Sequence, residues 1–193
     1  MQNKLQMESL VVNLLETNIP SANYYHNVAH SLYVQEKALE IGKYEGCTEY
    51  ELELLSTAAL WHDTGYVKTY HNHEEESCLI VRKNLPEHGF SAAEIDLVCG
   101  IIMATKIPQL PKNKLEEILA DADLEYLGTT NVEVKAFDLF RELQSIDPVL
   151  TEEKWRQMQI SFLQQHHYFT NFCTKYREPF KQIYLHKLTQ KVP

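Results

Sequence analysis

The sequence predicts an all-α fold: a compact single-domain helical bundle with additional helices at its C-terminal end. Three observations carry that prediction. Gly and Pro number only six and seven among 193 residues, and few breakers in a long chain favour helices over many short strands. Apolar residues recur at helical spacing, and no segment alternates convincingly as a strand. Two segments open on Thr48 with Glu51 and on Ser91 with Glu94, the Ser/Thr-x-x-Glu signature of a capped helix.

In order, Leu5, Leu10, Val11, Leu14 and Leu15 mark a short amphipathic helix closed by Asn18 and Pro20. A second helix is expected from about Tyr25 to Gly42. Its stripes, Val28, Leu32 and Leu39 on one side and Val34 and Ile41 on another, suggest a central position. The third begins at Thr48 and ends at His62-Asp63, where Thr64-Gly65 breaks the run. A fourth is expected from Asn72 to Asn84, a fifth from Ser91 to about Thr105, and a sixth from Lys112 to Leu127. Two or three more fill Val132 to Leu188, with a break near Asp147-Pro148. The connections are too short to suggest a second domain.

Hydrophobic residues make up 44% and charged residues 23% of the chain, with a net charge of -9. That acidity argues against a nucleic-acid duplex as partner. A small phosphorylated substrate stays open, because a bound metal reverses the sign of a local site. Cys47, Cys78, Cys99 and Cys173 are widely spaced and are expected to be reduced. No apolar run approaches the roughly 18 residues of a membrane helix, and MQNKLQMESLVVNLLETN lacks a signal-peptide core. The expectation is a cytoplasmic protein with no membrane partner. Tyr168, Phe169, Phe172, Tyr176 and Phe180 at helical spacing read as core packing before a stacking site. An exposed part of that segment would suit a homodimer.

Several residues could carry chemistry. His26 and His30 are spaced i, i+4 and would share one helix face, although such a pair alone is more often structural. At about 100° per residue, Leu54, Leu55, Ala58 and Ala59 define a buried face. His62 falls in the middle of it and Asp63 at its edge, where a hydrogen-bonded core histidine is the plain alternative. Beside Leu115, Ile118, Leu119, Ala122 and Tyr126, Asp123 is aimed inward and Asp121 points nearly opposite, unless both are simply solvated. Taken together, carboxylates near apolar faces cost several kcal/mol each if unpaired. A divalent cation would neutralise both, and mixed imidazole and carboxylate donors suit Mn, Fe, Co, Ni or Zn better than Ca or Mg.

The order of these residues resembles the HD-domain phosphohydrolase superfamily. Tyr25-His26-Asn27-Val28-Ala29-His30 looks like its Y-H-N-x-x-H, Trp61-His62-Asp63-Thr64-Gly65-Tyr66 like its namesake step, and Asp121-Ala122-Asp123-Leu124 like its closing segment. The resemblance covers about 24–128, leaving an extension of about 131–190 without a motif. It implies an HD-type bundle holding one divalent transition metal through His30, His62, Asp63 and Asp123, with His26 beside the substrate as proton donor. His73-Glu74-Glu75-Glu76-Ser77 resembles a further H-E-x-x-S stretch. Dinuclear relatives add a histidine on the next helix, where this chain has Ile101 to Lys106, which argues against a permanent second metal. Lys106 and Thr105 would instead suit a phosphate, with His73 as a further contact; each is equally readable as a solvated residue. Arg82 is a weaker candidate.

The implied function is a metal-dependent phosphatase or phosphodiesterase acting on a nucleotide or a related small phosphate ester. Asp63 or Asp123 would orient and deprotonate the attacking water, and His26 would protonate the departing alcohol. A non-catalytic nucleotide- or metal-sensing module on the same scaffold is the alternative. A di-iron oxygenase is disfavoured by the missing histidine near Thr105.

Overall fold

In a computed structural model, residues 2–190 are described, and the side chain of Leu5 lies outside the described part. Its helices are α1 (Gln2–Asn18), α2 (Val28–Tyr44), α3 (Glu49–Trp61), α4 (His73–Asn84), α5 (Ala92–Met103), α6 (Lys114–Asp123), α7 (Val132–Ile146), α8 (Glu152–Gln165), α9 (Asn171–Tyr176) and α10 (Glu178–Gln190). Short 3-10 turns cover Thr64–Val67, Leu85–His88 and Glu125–Gly128. Among the described residues there is no strand.

Local chemistry sets most of the boundaries. Thr48 and Ser91 each accept the backbone N–H three residues on, and Glu51 and Glu94 reach back to complete both capping boxes. Such a cap is worth about 1 kcal/mol. Two boundaries differ from expectation. The second helix starts at Val28 because Asn27, extended at φ -147°, accepts the His30 N–H and caps it, so His26 stands on the bend before the helix. The sixth helix stops at Asp123 and passes into the 125–128 turn, three residues or more short of the periodicity's reach.

Helix α2 packs on α3 and α6, and α3 on α5. Their shared core holds Val34, Ala38, Ile41, Leu55, Ala58, Val98, Ile102 and Ile118, consistent with a central α2. After Gly128 the chain forms four helices, α7 to α10, where two or three were expected; the added break is the short α9, capped by Thr170. A second apolar cluster joins Tyr25, Tyr126, Leu127, Ala136, Leu163 and Tyr184. The aromatic tail divides, with Tyr168 and Phe172 buried and Tyr176 and Phe180 exposed. All four cysteines are free thiols. No helix among the described residues is long and apolar enough to cross a membrane.

Candidate metal centre and adjoining chamber

The centre forms where α2, the end of α3 and the end of α6 meet. His30 sits in the first turn of α2, and its Nε2 lies 3.1 Å from Asp123 Oδ1 and 3.3 Å from Asp63 Oδ2. His62 follows α3, fully buried, with Nε2 3.2 Å from Asp63 Oδ2 and 3.5 Å from Asp123 Oδ1. His30, His62 and Asp123 present donor atoms all within 4.8 Å of one another, and Asp63 closes against both imidazoles. Donors held about 2.1 Å from one ion stand roughly 3.0–3.4 Å apart, close to the imidazole–carboxylate separations of 3.1, 3.2, 3.3 and 3.5 Å here.

Two features say that these residues fit a cation. His62 Nδ1 donates to the Ala59 carbonyl at 2.7 Å, so the ring is locked with Nε2 facing the carboxylates. His62 Nε2 and Asp63 Oδ2 are buried without a hydrogen-bond partner of acceptable geometry, a costly arrangement that positive charge relieves. In the protein alone a proton serves. Burial opposes charge on His62, but Asp63 and Asp123 raise its pKa well above the ordinary imidazole value. Burial also opposes ionisation of Asp63 and Asp123, yet the histidines hold both carboxyls well below their usual range. His30 goes the other way, pushed down by its burial. A metal would displace the proton on His62, so its binding should weaken in acid.

The chain after Asp63 folds back tightly. The Ser77 hydroxyl donates to the His62 carbonyl at 2.6 Å and accepts the Gly65 N–H at 2.8 Å. A Cβ on Gly65 would lie 2.0 Å from the His73 carbonyl oxygen, so only glycine lets α4 approach this closely. The approach brings His73 Nε2 to 3.4 Å from Asp63 Oδ1 and 3.7 Å from Glu74 Oε1. Asp63 thus faces the imidazole cage with one oxygen and His73 with the other. The Tyr66 ring stacks with both His26, at 4.3 Å, and His73, at 4.0 Å, each at 22°, and the two imidazoles are themselves 6.2 Å apart.

His26 is fixed from the C-terminal half. Buried Glu142 on α7 accepts the backbone N–H groups of Tyr25 and His26 at 2.9 and 3.0 Å, and its other oxygen bonds His26 Nδ1. Burial resists the Glu142 charge, but these contacts with His26 hold its carboxyl below the usual range. An ionised carboxylate only accepts, so Nδ1 carries a hydrogen and Nε2 is the ring's other working position.

A chamber of about 320 Å³ adjoins the centre, lined by His26, Asp63, His73, Thr105 and Asp123 and walled by apolar residues of α7, α8 and α10. Thr105 is buried with its hydroxyl given to the Ile102 carbonyl. Lys106 does not line the chamber; its ammonium pairs with Glu75 and donates to Asn72 at 3.0 Å. Arg82 is likewise held at the surface by Asp96. Asp121 does point away from Asp123, as its angular position demands, but it is fully buried rather than solvated. It accepts the Phe169 and Thr170 N–H groups at 3.0 and 2.8 Å and the Thr170 hydroxyl at 2.6 Å. Burial pushes its pKa up to about 6 against those bonds.

Sequence reasoning missed Glu142 and gave Tyr66 no role of its own. Glu142 offered a faint signal: it lies about 60° from Leu139 around α7, the same edge-of-stripe position that singled out Asp123.

The family model described as the HD domain matches residues 27–125. The chain belongs to the HD-domain family, a family of metal-dependent hydrolases. Among solved structures, the crystal structure of a predicted HD superfamily hydrolase from an uncultured Thermotogales bacterium shares the fold, with a TM-score of 0.57 and 22% identity, over 81% of this chain and 89% of that one. No curated protein matches the sequence.

Proposed function

We propose that the protein hydrolyses a phosphate ester of a small molecule at the cage of His30, His62, Asp63 and Asp123. The observation that carries this reading is the convergence of two imidazoles and two carboxylates in which buried His62 Nε2 and Asp63 Oδ2 face each other without a well-formed hydrogen bond. A divalent transition metal supplies Lewis acidity there and brings the pKa of water from 15.7 toward about 7.

The chain's own residues do the rest. Asp63 or Asp123 orients the attacking water and accepts its proton. The water oxygen adds to phosphorus as the bond from phosphorus to the alcohol oxygen breaks. His26, set by Glu142 through Nδ1, gives a proton from Nε2 to that departing oxygen. Tyr66 packs against the rings of both His26 and His73, and the apolar walls limit bulk water. His73 restrains Asp63 through its Oδ1 and stands where a phosphoryl oxygen would pass. Thr105 is the nearer of the two phosphate-binding candidates. Lys106 reaches the substrate only by leaving Glu75.

The test is metal analysis of the purified protein with hydrolysis of 4-nitrophenyl phosphate and its bis-ester in Mn, Co, Ni, Zn or Fe. We expect about one ion per chain and chelator-sensitive turnover. A protein that takes up no transition metal overturns the reading, as does a metal-loaded protein inert toward broad monoester and diester panels.

A further inference from the structure

The chamber beside the cage has an unusual charge balance for a phosphate-handling site. Among the described residues no Lys or Arg lines it, while Asp63, Glu74 and Asp123 do. Cations on the surrounding elements are committed elsewhere: Lys106 to Glu75, Arg177 to Glu125, Lys187 to Glu133, and buried Lys181 to Glu178 and the His166 carbonyl. With Asp63 and Asp123 neutralised by a cation at the cage, a nucleoside triphosphate would still bring its further phosphate charges beside Glu74 with no guanidinium or ammonium in the lining to meet them, an arrangement that burial makes costly.

The far walls have the opposite character. Leu139, Trp155, Met158, Phe162 and Leu163 contribute apolar and aromatic surface. Away from the histidines and carboxylates, the hydrogen-bonding groups of the lining include Thr105, Gln159 and the hydroxyls of Tyr25, Tyr66, Tyr126 and Tyr184. The Tyr184 hydroxyl donates to Gln159 Oε1 at 2.6 Å, and the buried Tyr25 hydroxyl has no hydrogen-bond partner of acceptable geometry. A volume of about 320 Å³ is at the small end for a ligand pocket, enough for one modest group.

We propose that this chamber receives the alcohol portion of the substrate, and that this portion is uncharged and largely apolar, joined to a single phosphoryl group at the cage. The Tyr25 hydroxyl, beside that of Tyr126, and the Gln159–Tyr184 pair read a polar feature of it. The inference rests on the hydrolase reading and narrows its substrate: sugar phosphates and nucleoside polyphosphates are poor fits.

The test compares 2-phenylethyl phosphate with glucose 6-phosphate, both esters of primary alcohols, and with ATP, on the Mn-loaded full chain. Burying a phenyl-sized group is worth about 1.5–3 kcal/mol, so we expect kcat/KM for the phenylethyl ester to exceed that for glucose 6-phosphate roughly 10- to 100-fold. Met158, 44% exposed at the rim, can be enlarged without disturbing the core, and Met158→Trp should lower that ratio about tenfold with metal content unchanged. Equal or better turnover of glucose 6-phosphate or ATP overturns the inference while leaving the hydrolase reading intact. If nothing is turned over, binding decides. The non-hydrolysable 2-phenylethylphosphonate must raise the melting temperature of wild type more than of Met158→Trp. Failure to do so overturns the proposal, whereas success without turnover would sink only the hydrolase reading.

Discussion

Two carboxylates on α6, fully buried Asp121 and partly buried Asp123, are two positions apart and meet opposite surroundings. Asp121 faces the start of α9 and accepts three donors from Phe169 and Thr170. Asp123 faces α2 and α3 and meets imidazole nitrogens already shared with Asp63. The first is met by backbone and hydroxyl donors; the second is met by imidazoles, in a cluster that could hold a metal ion. Burial of a carboxylate therefore does not identify a site here. The identity of its donors does.

The sharpest way to break this comparison is to remove each carboxylate in turn. For Asp123→Ala we expect kcat/KM to fall by about three orders of magnitude, since a metal's charge stabilisation is worth several kcal/mol, with metal content reduced and the fold retained. Steady-state kinetics and metal analysis check this, and full activity would remove Asp123 from the site. For Asp121→Ala we expect the reverse. Three buried donors lose their acceptor at about 1–3 kcal/mol per group, so denaturant unfolding should show a loss of roughly 3 kcal/mol or more, with metal stoichiometry unchanged.

Glu142 sharpens the contrast, because it is satisfied by backbone yet also serves the site. We expect Glu142→Gln to lower kcat by up to about 100-fold, with KM and metal content nearly unchanged. An equal loss in metal binding would place Glu142 with the cage instead.

The last contrast concerns His166, a half-buried imidazole that faces the Lys181 ammonium. Burial, with Lys181 beside it, lowers its pKa to about 3, and its Nε2 has no partner. The unfolded chain takes up a proton near pH 6.5 and the folded one does not until about pH 3. Stability should therefore rise with pH across that window, by at most about 1.4 kcal/mol per pH unit from this group. Thermal unfolding from pH 4 to 7 of wild type and His166→Gln reads it. An identical slope in the variant would show that His166 does not carry it.

Much of the centre is legible in order and spacing. His30, His62, Asp63 and Asp123 each lie on or beside an apolar helix face, and angular position alone separates Asp123 from Asp121. The proton-donor assembly is harder to read, because Glu142 reaches His26 across 116 residues and no local period encodes that contact. The same limit applies to Lys106, whose place beside Glu75 depends on how α4 meets the end of α5.

By itself the sequence determined the helical class, the capped starts at Thr48 and Ser91, and the inward aim of His62, Asp63 and Asp123. These follow from short-range hydrogen bonding and a 3.6-residue period, which act within a few turns of chain. The tertiary structure decided that His26 precedes its helix yet faces the centre, that Asp121 is anchored by α9, and that α7, α8 and α10 close an apolar chamber beside the cage. Those outcomes depend on packing between distant segments, where the surroundings of a side chain are set by residues far from it in sequence.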